Sequence, residues 1–199
     1  MQAHSLAARC VGAAGVILGL SSPVALAQGK VEYKVLSTSK TSTMQKEMQE
    51  AAAAGYRYGD VIGGATALGG SEVIVVMTKE PKAGAFEYRL LATSRTSTMQ
   101  KELQDAGDAG FEYKGQTVFK SAFGGKEVVA ILERASAAKA PARFEYRLLA
   151  TSKTSTMQKE LSEAGAQGFE FVGVTVGKTA LGGDEVVSIL RRRAPSSTR

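Results

Sequence analysis

The chain has 199 residues, a formal net charge of +6 at pH 7, and only one cysteine and one histidine. Those two residues, Cys10 and His4, lie near the start, ahead of any repeated sequence. The rest of the chain therefore excludes disulfide bonds, thiol nucleophiles, Ser/His triads and zinc sites built from Cys or His.

The first residues have the three parts of an export signal. Arg9 supplies the positive charge, residues 11–20 are apolar, and Ala25-Leu26-Ala27 matches a signal-peptidase site. The apolar run is much shorter than the roughly 20 residues of a membrane-spanning helix. We therefore expect residues 1–27 to be a signal peptide cleaved after Ala27, and the mature chain to be periplasmic or secreted.

The stretch Thr93–Glu102 recurs almost unchanged as Thr38–Glu47 and as Thr151–Glu160. The likeness continues on both sides of it and defines three tandem repeats, residues 31–80, 86–135 and 144–193. Pieces rich in Ala, Pro and Lys separate the repeats and are typical of linkers. Units this small bury their own faces poorly, so we expect neighbouring repeats to share cores.

The C-terminal end, Arg191–Arg199, is rich in arginine. Residues 194–199 are predicted to be a basic disordered tail. Such a tail can contact nucleic acid, acidic polysaccharide or anionic lipid, or it can simply be a solvated end that keeps the protein dispersed.

Each repeat begins with a strand followed by a helix. Phe86–Leu91 alternates apolar and charged residues, which predicts a half-buried strand. Met99, Leu103 and Ala106 form one apolar helical stripe, and Gly110 marks the helix end because glycine readily adopts a left-handed conformation. Gly55 and Gly168 hold the same position in the other repeats.

The start of each helix matches a capping box, in which a serine and a glutamine cap each other's backbone amides. The matching pairs are Ser42 with Gln45, Ser97 with Gln100, and Ser155 with Gln158.

The second half of the repeat predicts a hairpin. Phe111–Val118 and Glu127–Leu132 read as strands, and the glycine pair Gly124-Gly125 lies in the turn between them. The third strand is the most apolar, so we place it centrally, in the order 1-3-2, with strands one and two parallel and joined by a right-handed crossover. The fold class is α+β, with three tandem β-α-β-β repeats, each a three-stranded sheet covered by one helix.

The predicted third strand is apolar on both faces, because Val129 and Ile131 alternate with equally apolar neighbours. One helix covers only one face. We therefore expect the other face to meet another repeat or another chain, so self-association through sheet faces is a candidate contact.

The segments Phe86–Leu90 and Lys101–Glu112 resemble a small bacterial domain of unknown function with the pattern YEYKVV, then ELNELGAEGWELV, then a closing strand ending in K or R. The resemblance covers nearly all of each repeat. Tyr56, Phe111 and Phe169 depart from it, because that position usually holds Trp. The resemblance implies a β-α-β-β unit and no particular activity.

The loop before each helix gathers a cation and hydroxyls at a helix N-terminus, which are the ingredients of an anion site. The candidate residues are Lys40, Ser42, Thr43, Arg95, Ser97, Thr98, Lys153, Ser155 and Thr156. The competing interpretation is that the hydroxyls only cap the helices and the cations are solvated.

Repeated carboxylates offer a second chemistry. They lie in the triplets at 32–34, 87–89 and 145–147 and at Glu47, Glu102 and Glu160. A hydrolase using carboxylate pairs is the alternative function, but an active site needs one asymmetric constellation and these acids are triplicated. We favour a non-enzymatic binding or structural protein without cofactor or metal, whose partner is a polyanion or another protein.

Overall fold

The computed structural model describes residues 30–65, 71–79, 84–93, 95–120, 126–136, 142–178 and 183–195. Several sequence predictions lie outside these residues. They are the signal peptide, residues 196–199 of the basic tail, and most of the Gly-Gly turns (Gly69, Gly70, Gly124, Gly125 and Gly182).

Each repeat contains a strand, a helix and two further strands. Repeat 1 has β1 (Glu32–Thr38), α1 (Thr41–Ala53), β2 (Arg57–Ala65) and β3 (Ser71–Lys79). Repeat 2 has β4 (Phe86–Thr93), α2 (Thr96–Asp108), β5 (Glu112–Lys120) and β6 (Lys126–Ala135). Repeat 3 has β7 (Phe144–Thr151), α3 (Thr154–Ala166), β8 (Glu170–Lys178) and β9 (Asp184–Arg193).

Each repeat forms its own three-stranded sheet, in the orders β1-β3-β2, β4-β6-β5 and β7-β9-β8. Every neighbouring pair is antiparallel, so the first and second strands of a repeat run parallel on either side of the third. The predicted fold class and strand order are confirmed.

The helices end as the glycines predicted. Gly110 has φ of 85°, and Gly55 and Gly168 have φ of 87° and 80°. In α2 the amide of Gly110 donates to Gly107 O at 3.0 Å and the amide of Phe111 donates to Ala106 O at 2.9 Å. This pair of bonds is a Schellman motif, which fills carbonyls that the helix leaves without partners.

The predicted capping boxes are wrong. Helix α2 begins at Thr96, so Arg95 is its N-cap and Ser97 lies inside the first turn. The side chain of Arg95 makes no capping hydrogen bond, because a guanidinium group has no acceptor atom. The turn is instead set by Thr93, whose hydroxyl accepts a hydrogen bond from the Arg95 amide at 3.3 Å.

The capping-box prediction is also wrong for the other two helices, because their N-caps are Lys40 and Lys153. The pairs Ser42 with Gln45 and Ser155 with Gln158 are therefore not capping boxes either. The glutamines of α1 and α2 bind the neighbouring repeat, where strand amides offer better-placed partners.

Neighbouring repeats share their cores. The first core joins Met44 and Met48 of α1 to Tyr88 and Leu90 of β4, and the second joins Leu103 of α2 to repeat 3. Val129 and Ile131 of β6 belong to the first core, whereas Val128, Ala130 and Leu132 belong to the second. The two-faced third strand is thus confirmed in repeat 2, and burial of each such large side chain contributes about 1.5–3 kcal/mol.

Candidate functional site

The most elaborate polar contacts lie between consecutive repeats, where helix glutamines hold the outer edge of the next repeat's first strand. Gln45 Oε1 accepts a hydrogen bond from the Leu90 amide at 2.9 Å, and Gln49 Oε1 accepts one from the Tyr88 amide at 3.1 Å. An open groove of about 320 Å³ lies here, lined by Ser42, Gln45, Lys46, Gln49, Glu50 and Tyr88.

The same arrangement joins repeats 2 and 3 and is more complete. Gln100 accepts from the Leu148 amide at 2.7 Å and donates to Tyr146 O at 2.9 Å. Gln104 accepts from the Tyr146 amide at 3.0 Å and donates to Phe144 O at 3.3 Å. Each carboxamide therefore pairs with strand β7 much as another strand would, which covers an otherwise open sheet edge.

A buried tyrosine of each later repeat reaches back to the preceding one. The Tyr88 hydroxyl accepts from the Tyr58 amide at 2.7 Å and donates to Glu133 at 2.8 Å. The Tyr146 hydroxyl accepts from the Tyr113 amide at 2.6 Å. Burial raises the pKa of Tyr146 to about 12 and raises the pKa of Tyr88 well above its ordinary value. Both phenols therefore stay protonated and keep donating at ordinary pH.

An ion pair at one fixed position joins each pair of repeats, with its charges reversed between the two. Arg57 binds Glu133 at 2.8 Å between repeats 1 and 2, and Glu112 binds Arg191 at 2.6 Å between repeats 2 and 3. Glu112 is the counterpart of Arg57, and Arg191 is the counterpart of Glu133. Placing repeat 3 directly after repeat 1 would bring Arg57 against Arg191, so the charges favour the native order.

The candidate anion loops lie on the surface. The cations Lys40, Arg95 and Lys153 are exposed N-caps and form no ion pair within the described part of the chain. The two hydroxyl residues of each loop are N2 and N3 of the helix: Ser42 and Thr43, Ser97 and Thr98, Ser155 and Thr156. Of these, Thr43 and Thr156 are half-buried and the rest are exposed.

Sequence reasoning missed the threonine that begins each helix. Thr41 donates to Glu127 at 3.2 Å, and Thr96 donates to Glu185 at 2.5 Å. Both carboxylates come from the following repeat, and a negative charge near a helix N-terminus is stabilising. The available signal was a glutamate that follows the Gly-Gly pair in every repeat.

The carboxylates proposed for the alternative chemistry occur as one strand glutamate and one helix glutamate in each repeat. Glu87 pairs with Arg134 at 2.5 Å, and Glu145 pairs with Arg192 at 2.6 Å. Glu102 and Glu160 each have a buried Oε2 without a hydrogen-bond partner among the described residues. Burial, and then the nearby charge of Asp105, raise the pKa of Glu102.

Three of the C-terminal arginines are part of the fold, because β9 ends at Arg193. Arg191 and Arg192 lie in β9 and bind Glu112 and Glu145. The positive charges of these two arginines therefore already face carboxylates.

Searches beyond these contacts added no site. Across the described residues, no group of three His, Cys, Asp or Glu side chains is placed to hold a metal ion. None of the described helices is long and apolar enough to cross a membrane. Comparisons of the chain with protein-family models, with curated proteins and with solved structures gave no significant match. The resemblance to the small bacterial domain stays a prediction.

Proposed function

We propose that this is an exported, non-enzymatic repeat protein that binds anionic groups of a polymeric partner at the three helix N-terminal loops. One observation carries the proposal. Each of three stacked repeats presents an exposed cation at the N-cap, followed by hydroxyls at N2 and N3. The stacking through shared cores fixes the repeats relative to one another.

Energetics favour a partner that engages several loops at once. A surface cation contributes about 1 kcal/mol or less, and the N-termini of α1 and α2 already face Glu127 and Glu185 of the following repeat, so one loop binds weakly. Three loops engaged by one polymer gain from effective concentration, which turns weak contacts into useful avidity. The repeated surface residues give this interpretation an advantage over a purely structural role, for which only the core would need to repeat.

The test removes only the loop cations. We would combine Lys40→Gln, Arg95→Gln and Lys153→Gln, and measure binding to heparin over a range of salt concentrations. We expect weaker binding and a shallower salt dependence, because exposed charges are screened over about 8 Å at physiological ionic strength.

A matched control removes the same charge from the helix surface. The variant with Lys46→Gln, Lys101→Gln and Lys159→Gln changes exposed lysines at one equivalent position of the three helices. The proposal requires a clearly larger effect from the loop variant. Equal losses of heparin binding in the two variants would mean that only net charge matters. Unchanged binding by the loop variant would mean that the loops do no more than begin the helices.

Export is a separate part of the proposal. We expect mass spectrometry of the exported protein to find Gln28 as its first residue. Retention of Met1, or a lipid on Cys10, would contradict it.

A further inference from the structure

Both ends of the repeat stack carry exposed apolar side chains, Tyr33 and Val35 at one end and Phe171 at the other. We call Tyr33, Val35, Ile74 and Val76 the open strand face. Tyr33 is 68% exposed and Val35 is 63% exposed, whereas their counterparts Tyr88 and Leu90 are 4% and 9% exposed. The counterparts differ chiefly in being covered by the helix and sheet of a preceding repeat. No repeat precedes repeat 1 among the described residues, and the side chains of Tyr33 and Val35 are exposed.

The other end presents the matching half of the same contact. We call Gln158, Ser162 and Gly165 of α3, with Phe171 of β8, the open helix face. Gln158 is the counterpart of Gln45 and Gln100, but among the described residues its amide donates only to Ser162 of its own helix, at 3.2 Å. Ala164 is the only buried residue of α3, and Phe171 is 53% exposed.

Gly165 leaves a space on this face that no other part of the described chain fills. A methyl group built on Gly165 would meet nothing within 4 Å. At the counterpart Gly107, such a group would collide with the carbonyl oxygen of Phe144 and lie 2.8 Å from the Tyr146 ring. Glycine at this position therefore allows the next repeat's first strand to approach the helix closely, and α3 retains that space with no strand in it.

We propose that a second copy of this chain covers these faces, with β1 of one copy packed on α3 of the other. The contact follows the two interfaces inside the chain at the first of their two glutamine positions, so Gln158 takes the amide of Val35 and the carbonyl of Tyr33. The second position is Ser162, where α1 and α2 have Gln49 and Gln104. The Tyr33 hydroxyl then reaches the Phe171 amide, as Tyr88 and Tyr146 reach Tyr58 and Tyr113. This surface differs from the cationic loops, so the inference does not depend on the proposed function.

The two ends also differ from the internal interfaces at one crowded position, which is glycine in repeats 2 and 3 and faces a tyrosine hydroxyl of the preceding repeat. A Cβ built on Gly115 would lie 2.5 Å from the Tyr58 hydroxyl, and one built on Gly173 would lie 2.6 Å from the Tyr113 hydroxyl. Position 60 in repeat 1 holds Asp60, which has a Cβ, and the aromatic that would face it is Phe171, which lacks the hydroxyl. The one position that carries a side chain thus meets the one aromatic without a hydroxyl, which is the atom that comes nearest in the two internal interfaces.

Such a contact joins two different surfaces, so it produces either a closed ring or an open chain of copies. Both contain the same interface and both support the proposal. The strand end is apolar and uncapped, which allows a repeat stack to continue there, since stacks that end in solution need polar terminal faces.

The first experiment uses two half-blocked variants of the full chain, measured by sedimentation velocity across a concentration series. Wild type should grow in mass with concentration. Val35→Glu blocks the strand face and Gly165→Arg blocks the helix face, and each should weaken association by ~100-fold or more because a charge would be buried without a partner. An equimolar mixture should form a dimer of one copy of each, since each variant keeps the face that the other lacks.

The outcomes separate the alternatives. Val118→Glu changes a valine that is 40% exposed on the middle repeat, and it should associate like wild type. A wild-type chain that stays monomeric at every concentration would overturn the proposal. So would growth in mass without a dimer in the mixture, because that result indicates a symmetric contact between like faces.

A second experiment tests the register. Phe171→Tyr adds a hydroxyl facing Asp60 of the other copy and should weaken association roughly tenfold, the effect of about 1.4 kcal/mol. Adding Asp60→Gly should restore association, because glycine makes room for the hydroxyl as Gly115 and Gly173 do. If Phe171→Tyr had no effect, or if Asp60→Gly failed to rescue it, this packing would be wrong. Circular dichroism of each variant checks that the exposed substitutions leave the fold intact.

Discussion

The hydroxyl oxygen of Tyr146 lies 2.6 Å from the backbone nitrogen of Tyr113, so a side chain of repeat 3 completes the backbone hydrogen bonding of repeat 2. The site is a β-bulge, because the pairing of β5 with β6 shifts between Tyr113 and Gly115. The same hydroxyl donates to Phe111 O at 3.1 Å. One phenol thus makes two buried hydrogen bonds to a neighbouring repeat, which explains why repeat 3 has tyrosine at this position.

Tyr146→Phe should lower the free energy of unfolding by about 1–3 kcal/mol, because it leaves the Tyr113 amide buried without a partner. Tyr33→Phe is the matched control at the same position of repeat 1, where the ring is 68% exposed. Urea unfolding at low protein concentration, where copies stay apart, should show almost no loss for the control. Equal losses in the two variants would contradict the role assigned to the hydroxyl.

The ion pair between repeats 1 and 2 gives a second prediction. Arg57→Ala leaves Glu133, whose side chain is 3% exposed, with only the Tyr88 hydroxyl, and should cost roughly 3–5 kcal/mol of unfolding free energy. Adding Glu133→Thr should recover much of that loss, because it removes the buried charge. Threonine is also the residue that repeat 1 has at this position, Thr78.

The charge-reversed pair supplies the comparison. Glu112→Ala should cost less than Arg57→Ala, because Arg191 keeps Glu170 at 3.7 Å. If the Arg57→Ala single variant and the double variant unfolded alike, an isolated buried charge would not be the cause of the loss.

The features that the sequence predicted well depend on local backbone chemistry. Gly110 ends α2 because a left-handed residue is needed there, and the alternation of Phe86–Leu91 marks a strand whatever surrounds it. The central place of the third strand followed from its two apolar faces. These signals lie within one repeat, and each repeat shows them again.

The contacts between repeats could not be predicted from local pattern. Gln100 looked like half of a capping box because it stands three positions after Ser97, yet its partner Leu148 is 48 residues away. The helix start was misplaced because Thr96 and Ser97 are adjacent and both suit a first turn. Glu127 acquires its role at the α1 N-terminus only when repeats stack in order.

Glu102 gives a prediction that depends on pH. Burial and the charge of Asp105 raise its pKa above the ordinary 4.5. A raised carboxyl pKa means that its contribution to stability is fully present below pH 4.5 and is lost as the pH rises through the raised value. Glu102→Gln should therefore raise Tm at pH 7 and leave it nearly unchanged below pH 4.5. Asp105→Asn, which removes only the lesser cause, should give a smaller rise. A gain that was the same at both pH values would point to packing instead.

The last prediction compares two glycines at one helix position. Alanine is about 1 kcal/mol more favourable than glycine inside a helix, so Gly165→Ala should stabilise the single chain by up to that amount. Gly107→Ala should destabilise it, because the new methyl group would collide with the Phe144 carbonyl, and a backbone atom cannot move aside as a flexible side chain can. Repeat 1 has Ala52 at this position, so α1 and β4 already accommodate a methyl group, and Ala52→Gly should simply cost stability. Thermal unfolding of the three variants at low concentration would give opposite signs for Gly165→Ala and Gly107→Ala. The same Gly165→Ala variant should associate more weakly than wild type at high concentration, because the proposed contact follows the close packing of β7 on α2 at Gly107 and not the packing of β4 on α1 at Ala52. Stabilisation of the chain with unchanged association would mean that Gly165 has no part in the contact between copies.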